Sequence, residues 1–256
     1  MPAACLAVRP RSVGYRWGAD FLVYPVTTWS DKTSGVATQD VWAPPGRWVN
    51  FQTGVTLIGP KVFKDLPFKP REVPAYTKAG AVIPMQSYGS EALVLGVVLA
   101  DTDIEAEANA TAEYYEDDGV SLEAGSGAFR LHAIAHTSRN GVRRVTMRRS
   151  GGRGFRGERA RREYRVEFRR AATAAEKALP AVVVVNGEKL DKAVNGDGAG
   201  KRGWWIEVED ELNKLVVATG LVDAAVALDV QLQYITGQNE PPLPPQVVRD
   251  PDIFSL

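Results

Sequence analysis

Turn signals divide this chain at intervals too short for helices, and that spacing constrains the fold more than any other feature. Pro44-Pro45-Gly46, Gly59-Pro60, Asp117-Asp118-Gly119, Asn140-Gly141 and Asn186-Gly187 each mark a place where the backbone turns. Asn-Gly is the dipeptide preferred in two-residue hairpin turns. Between these marks lie short runs rich in β-branched and aromatic residues. Phe21 to Val26, Asp40 to Ala43, Trp48 to Phe51 and Val55 to Ile58 read as strands, with a reversal at Pro44-Pro45-Gly46. Ala92 to Ala100, Ala112 to Tyr115, Val182 to Val185, Trp204 to Val208 and Leu215 to Ala218 read the same way.

Alternation sharpens several of these strands. Phe129, Leu131, Ala133 and Ala135 are spaced as the buried face of a half-buried strand, and Val145 and Met147 begin its return. Tyr164, Val166 and Phe168 face one way, with Arg165, Glu167 and Arg169 opposite. Ala224, Val226, Leu228, Val230 and Leu232 alternate at the end of the series. Only Ala171 to Leu179 has helical composition, and it is too short to stand alone. The expected fold is therefore all-β, with two consecutive antiparallel β-sandwich domains and little helix. The expected organisation is an unstructured leader at 1–14, a first sandwich at 15–90, a second at 91–236 and a Pro-rich tail at 237–256. Between the two sandwiches, Pro74 and Pro84 bracket a strand–turn–strand element that pivots on Gly80 and ends at Met85.

Composition excludes several function classes. Lys plus Arg and Asp plus Glu are equal at 31 each, so the chain has no general attraction to nucleic acid or anionic membrane. No apolar run approaches the ~20 residues of a membrane span. Cys5 is the only cysteine, which rules out an intrachain disulfide and a cysteine-based zinc site. The Asn109-Ala110-Thr111 sequon reads as a chance occurrence, and the sequence assigns no compartment.

Several local clusters contain residue types that could carry chemistry. Asp117 and Asp118 beside Gly119 read as turn formers rather than catalytic acids or calcium ligands. Asp101-Thr102-Asp103 lacks the nucleotide-binding unit that would give it meaning. His132 and His136 share a strand face roughly 13 Å apart, at a ~3.3 Å rise per residue, too far for one metal. They read as sheet-surface histidines. Trp29, Trp42, Trp48, Trp204 and Trp205 are candidates for sugar stacking, with core filling the stronger reading for Trp42 and Trp48. An Arg-rich segment runs from Arg143 to Arg170 and includes the Arg/Gly stretch Gly151 to Gly157. It reads as a solvated hairpin and loop, partly neutralised by the earlier acidic run from Asp101 to Asp118.

Seven motifs in order carry a resemblance: Gly18–Val26 (GADFLVYPV), Val41–Gly54 (VWAPPGRWVNFQTG), Val73–Met85 (VPAYTKAGAVIPM), Tyr114–Ser121 (YYEDDGVS), Gly154–Gly157 (GFRG), Arg162–Phe168 (REYRVEF) and Val183–Gly187 (VVVNG). The series resembles the C-terminal part of glycoside hydrolase family 31, the α-glucosidase and α-xylosidase family, over roughly residues 15–235. In that family a (β/α)8 barrel carries the chemistry and two β-sandwiches, proximal and distal, follow it. The resemblance implies that this chain corresponds to those sandwiches and that the catalytic barrel is its missing partner, in cis upstream or on another chain. The family's nucleophile and acid/base are aspartates on barrel loops, and no position here matches either motif. No catalytic, cofactor-binding or metal residue is assigned, and no cofactor is implied.

The resemblance implies an accessory region of an α-glycosidase that hydrolyses O-glycosyl bonds, inactive as an isolated chain. The first dozen residues do not match what leads out of the barrel, so a truncated or divergent chain is expected. An apolar face on residues 15–90 is expected too. The alternatives are a free-standing carbohydrate-binding β-sandwich protein and, more weakly, an Arg-rich nucleic-acid-binding module.

Overall fold

The computed structural model describes residues 14–86, 91–100, 108–171, 179–193, 202–209 and 212–234. These residues form strands and one short 3-10 turn, Glu123–Ser126. The fold is all-β. Residues 172–178 of the expected helical stretch, the Pro-rich tail, Asp101 to Asp103 and nearly all of the leader lie outside the described residues, while Ala171 ends a strand.

The chain forms two compact units that divide between Ala79 and Gly80. The first holds β1 (Tyr15–Trp17), β2 (Phe21–Val23), β3 (Ala37–Asn50), β4 (Thr56–Phe68) and β5 (Ala75–Lys78) in one sheet of order β1-β2-β5-β3-β4. Its core joins Leu22 and Tyr24 to Val41, Ala43, Trp48, Leu57, Phe63, Leu66, Phe68 and Tyr76. The expected reversal at Pro44-Pro45-Gly46 is instead an irregularity within β3. Pairing shifts there from Ala43 opposite Lys61 to Gly46 opposite Gly59. A bulge tolerates prolines that cannot donate to the ladder, so the strand bends without ending. Trp48 fixes the bend by donating its Nε1 hydrogen to the Pro44 carbonyl at 2.9 Å. Gly59 is needed opposite, because a Cβ there would lie 1.9 Å from the Pro44 carbonyl oxygen. For the same reason β4 runs on past Gly59-Pro60.

The second unit begins with β6 (Val82–Gln86), β7 (Leu93–Val98), β8 (Ala108–Glu116), β9 (Arg130–Arg139), β10 (Val142–Gly151) and β11 (Arg161–Ala171). It continues with β12 (Val182–Val185), β13 (Glu188–Leu190), β14 (Arg202–Glu209), β15 (Leu212–Asp223) and β16 (Leu228–Gln233). Its sheets have the orders β13-β12-β16-β10-β9-β8 and β14-β15-β11-β7-β6. A shared core places Leu95, Val97, Val166, Phe168, Leu215 and Val217 of one sheet against Ile134, Val145, Met147, Val230 and Leu232 of the other. Among the described strands the ladders are antiparallel except β7 with β11, and an isolated parallel bridge joins Lys192 to Trp204. β6 pairs with β7, so Val82 to Gln86 opens this unit rather than closing the first. The boundary thus falls earlier than the expected 90/91.

Both Asn-Gly signals turn as expected. Asn140 and Gly141 have φ of 51° and 71°, and Asn186 and Gly187 have 50° and 84°. On β11, Tyr164, Val166 and Phe168 do point into the core. On β9 the period holds but the phase is opposite to the expected one. His132, Ile134, His136 and Ser138 are buried, while Leu131, Ala133 and Ala135 are half-buried. The histidines are not sheet-surface residues: His132 is 5% exposed and His136 0%. Each has a hydrogen-bond partner inside, and that offsets the cost of burying a polar ring.

Candidate functional site

Two features could carry function: a charged cluster in the second unit and an aromatic surface on the first. The cluster grows from the Tyr114–Asp118 motif at the end of β8, where Tyr114 pairs with His132 and Glu116 with Arg130. Glu116 accepts a hydrogen bond from Arg162 and lies 3.5 Å from His132 Nε2. Burial alone would raise its carboxyl pKa. The hydrogen bonds from His132 and Arg162, with the Arg162 charge, outweigh burial and hold it at about 2. Tyr114 stacks obliquely on His132, with ring centroids 5.9 Å apart. Burial, and then the Glu116 charge, push its hydroxyl up to about 12.

Beside this pair, Glu158 accepts two hydrogen bonds from Arg130, both 2.8 Å, and one from Arg149 at 2.8 Å. The Arg130 hydrogen bonds hold its carboxyl below the usual range. Arg159 grips Glu91 bidentately, and Arg144 grips Asp229 at 2.7 and 2.8 Å. Five arginines of the segment from Arg143 to Arg170 hold carboxylates: Arg144, Arg149, Arg159, Arg162 and Arg165. The acidic-to-basic pairing expected between the two runs is realised by Glu116 and Arg162.

The remaining candidates fall apart geometrically. Asp117 accepts from the Gly119 N–H at 2.8 Å and from the Tyr115 hydroxyl at 2.9 Å. Asp118 accepts from the Val120 and Ser121 N–H groups at 3.2 and 3.0 Å. Both do the work of turn formers. His132 turns to Glu116 and His136 to the Gly80 carbonyl, so the two rings do not converge on one point. Among the described residues, no three His, Cys, Asp or Glu side chains gather as a metal set. Trp48, Trp204 and Trp205 are buried and Trp42 is half-buried, whereas Trp29 is 98% exposed.

The aromatic surface lies where the described chain enters the first unit. Tyr15 and Trp17 share one face of the edge strand β1 and are 54% and 67% exposed. Trp17 pairs with Phe21 across β1 and β2, their rings 5.5 Å apart, and Phe21 meets Phe51 edge-on at 5.6 Å. This is the apolar face expected on residues 15–90. Tyr15 and Trp17 were not among the candidates, although their alternation just before the Gly18 turn is the signal that could have found them.

Comparison with known proteins gives these features a family context. The profile of the glycosyl hydrolase family 31 C-terminal domain matches residues 9–83. A 1,6-alpha-glucosyltransferase from Sporosarcina globispora is 26% identical over 145 residues, which is 55% of this chain and 11% of that protein. A family 31 dextranase from Flavobacterium johnsoniae, complexed with glucose, superposes with a TM-score of 0.64 at 16% identity. That match covers 86% of this chain and 26% of the dextranase. The alpha-1,4-glucan lyase of Gracilariopsis lemaneiformis gives 0.60 at 18% identity, covering 84% of this chain and 22% of the lyase. The chain therefore spans about a quarter or less of each relative. The family profile covers most of the first unit, and both units share their fold with these family 31 structures, so the chain is similar to a C-terminal portion of glycoside hydrolase family 31 enzymes.

Proposed function

We propose that this chain is the accessory β-sandwich region of a family 31 α-glycosidase, has no turnover of its own and serves to buttress a catalytic (β/α)8 barrel. The barrel is supplied in cis upstream or on another chain. The observation that carries this reading is the Tyr15, Trp17, Phe21 and Phe51 surface, set where an N-terminally attached domain would join. Exposed apolar surface of this kind marks a missing partner. Covering roughly 200 Å² of ring surface contributes ~5 kcal/mol at ~25 cal/mol per Å². The relatives named for glucosyl transfer and α-1,4-glucan cleavage favour an α-linked glucoside as the parent's substrate.

A direct test mixes the purified chain with a separately produced family 31 barrel and follows association by sedimentation velocity. The reading expects a complex that Trp17→Ser with Tyr15→Ser weakens at least tenfold. Association that ignores both substitutions would refute this assignment of the surface.

Trp29 favours a second reading, carbohydrate binding by the chain itself. It stands almost wholly in solvent, on a loop ordered by Asp31, which accepts from the Thr33 and Ser34 N–H groups at 3.0 and 2.8 Å. Fluorescence titration with maltooligosaccharides tests it: a saturable change lost in Trp29→Ala supports glycan binding, and a flat titration removes it.

A further inference from the structure

His136 has no part in the charged cluster, yet it is fully buried and makes a long-range bond. It lies on β9, in the six-stranded sheet, and its Nδ1 reaches the Gly80 carbonyl oxygen at 2.8 Å. Gly80 is the first residue of the second unit, and its N–H donates to the Val98 carbonyl at 2.7 Å. It has φ of +85°, and a Cβ there would lie 3.2 Å from that of Ala108. From Gly80 the chain enters β6, which among the described residues is an edge strand paired with β7. Pro84 lies within β6 opposite Leu95, a position that an edge strand tolerates. The His136 bond thus ties the start of an edge strand to the opposite sheet.

The bond dictates the ring's protonation. A carbonyl only accepts, so Nδ1 carries the hydrogen and the neutral ring leaves Nε2 as an acceptor. Among the described residues Nε2 is buried without a hydrogen-bond partner. Phe168 of β11 presents its ring to the imidazole, centroids 6.4 Å apart. The charged group facing it from β10 is Arg143, itself 3% exposed. Arg143 in turn interacts with Tyr234 after β16, which Arg170 of β11 also influences. A proton added at Nε2 would therefore put a cation in an apolar site beside another cation. Burial and then Arg143 lower the ring to about 4, although the Gly80 bond acts to raise it.

We propose that His136 is an acid-released latch that holds residues 80–86 onto the second unit. Above the pKa of a free imidazole the neutral ring keeps Gly80 in place. As pH falls, the opened segment, in which His136 reaches water and protonates, gains population over the closed one. The opening factor grows about tenfold for each pH unit from about 6.5 down to about 4. The edge of β7 would then be exposed while the core between the sheets stays closed.

Hydrogen exchange on the full chain between pH 7 and 4.5, corrected for intrinsic rates, tests this. Peptides covering 80–86 should lose protection more than tenfold beyond those covering β10 and β15. His136→Asn retains a donor near Nδ1 and cannot titrate, so it should abolish the acid step. His136→Phe should leave residues 80–86 poorly protected at every pH. Should the Phe variant fail to fold, the wild-type series and the Asn variant decide alone. Protection at 80–86 that tracks the rest of the unit, or an acid step that persists in His136→Asn, overturns the proposal.

Discussion

Replacing Glu116 with glutamine keeps the shape of the cluster and removes its central charge. Arg162 is left buried, its side chain 12% exposed, without its carboxylate, and His132 loses its acidic neighbour. The lowering of the carboxyl from 4.5 to about 2 corresponds to ~3 kcal/mol, at about 1.36 kcal/mol per pKa unit. Solvent on the open side of Glu116 screens part of this, so the expected loss at pH 7 is about 2 kcal/mol. The sign with pH follows from the direction of the shift. A carboxyl lowered in the folded state contributes its full stability above pH 4.5 and loses it as pH falls to about 2. Urea unfolding followed through the buried Trp204 and Trp205 measures both quantities. Glu116→Gln should unfold earlier at pH 7 and lose less additional stability than wild type between pH 4.5 and 2.5. A loss under about 0.5 kcal/mol at pH 7, within the range of an ordinary surface change, would refute the argument. So would an acid limb identical to wild type.

Gly59→Ala forces a Cβ against the Pro44 carbonyl, a backbone atom that cannot rotate away. It should lower the first unit's melting transition by about 2–3 kcal/mol or more, and an unchanged calorimetric transition would count against the bend described for β3. Gly141→Ala puts a side chain at φ of 71° and should cost the second unit about 1 kcal/mol in chemical denaturation. A neutral result there would mean that the β9–β10 turn is not held in the left-handed region.

Residues with local physical causes were legible in the sequence. Asn140-Gly141 and Asn186-Gly187 specify their turns through backbone angles alone. Tyr164, Val166 and Phe168 alternate with charged residues, so only one face of β11 could be buried. Legibility failed where a distant partner decided the outcome. On β9, apolarity pointed to the alanines and Leu131, but Glu116 and the Gly80 carbonyl make it favourable to bury the histidines. At Pro44-Pro45-Gly46 the local signal is a reversal. The strand continues because Gly59 lets the opposite backbone approach and Trp48 bonds back to Pro44. The unit boundary moved for a similar reason, since the pairing of β6 with β7 cannot be read from β6 alone. The turn roles of Asp117 and Asp118 were readable from their neighbour Gly119. The aromatic surface was half legible: an apolar face was expected on residues 15–90, but Tyr15 and Trp17 were not picked out.

The central claim is that this chain supports an α-glycosidase without performing its chemistry. Incubating the purified chain with maltose or a nitrophenyl α-glucoside, over a range of protein concentrations, tests that most directly. The account predicts product release indistinguishable from buffer at every concentration. Hydrolysis that rises in proportion to the chain and co-purifies with it would contradict the account, because it would place a working carboxylate pair within these two β-rich units.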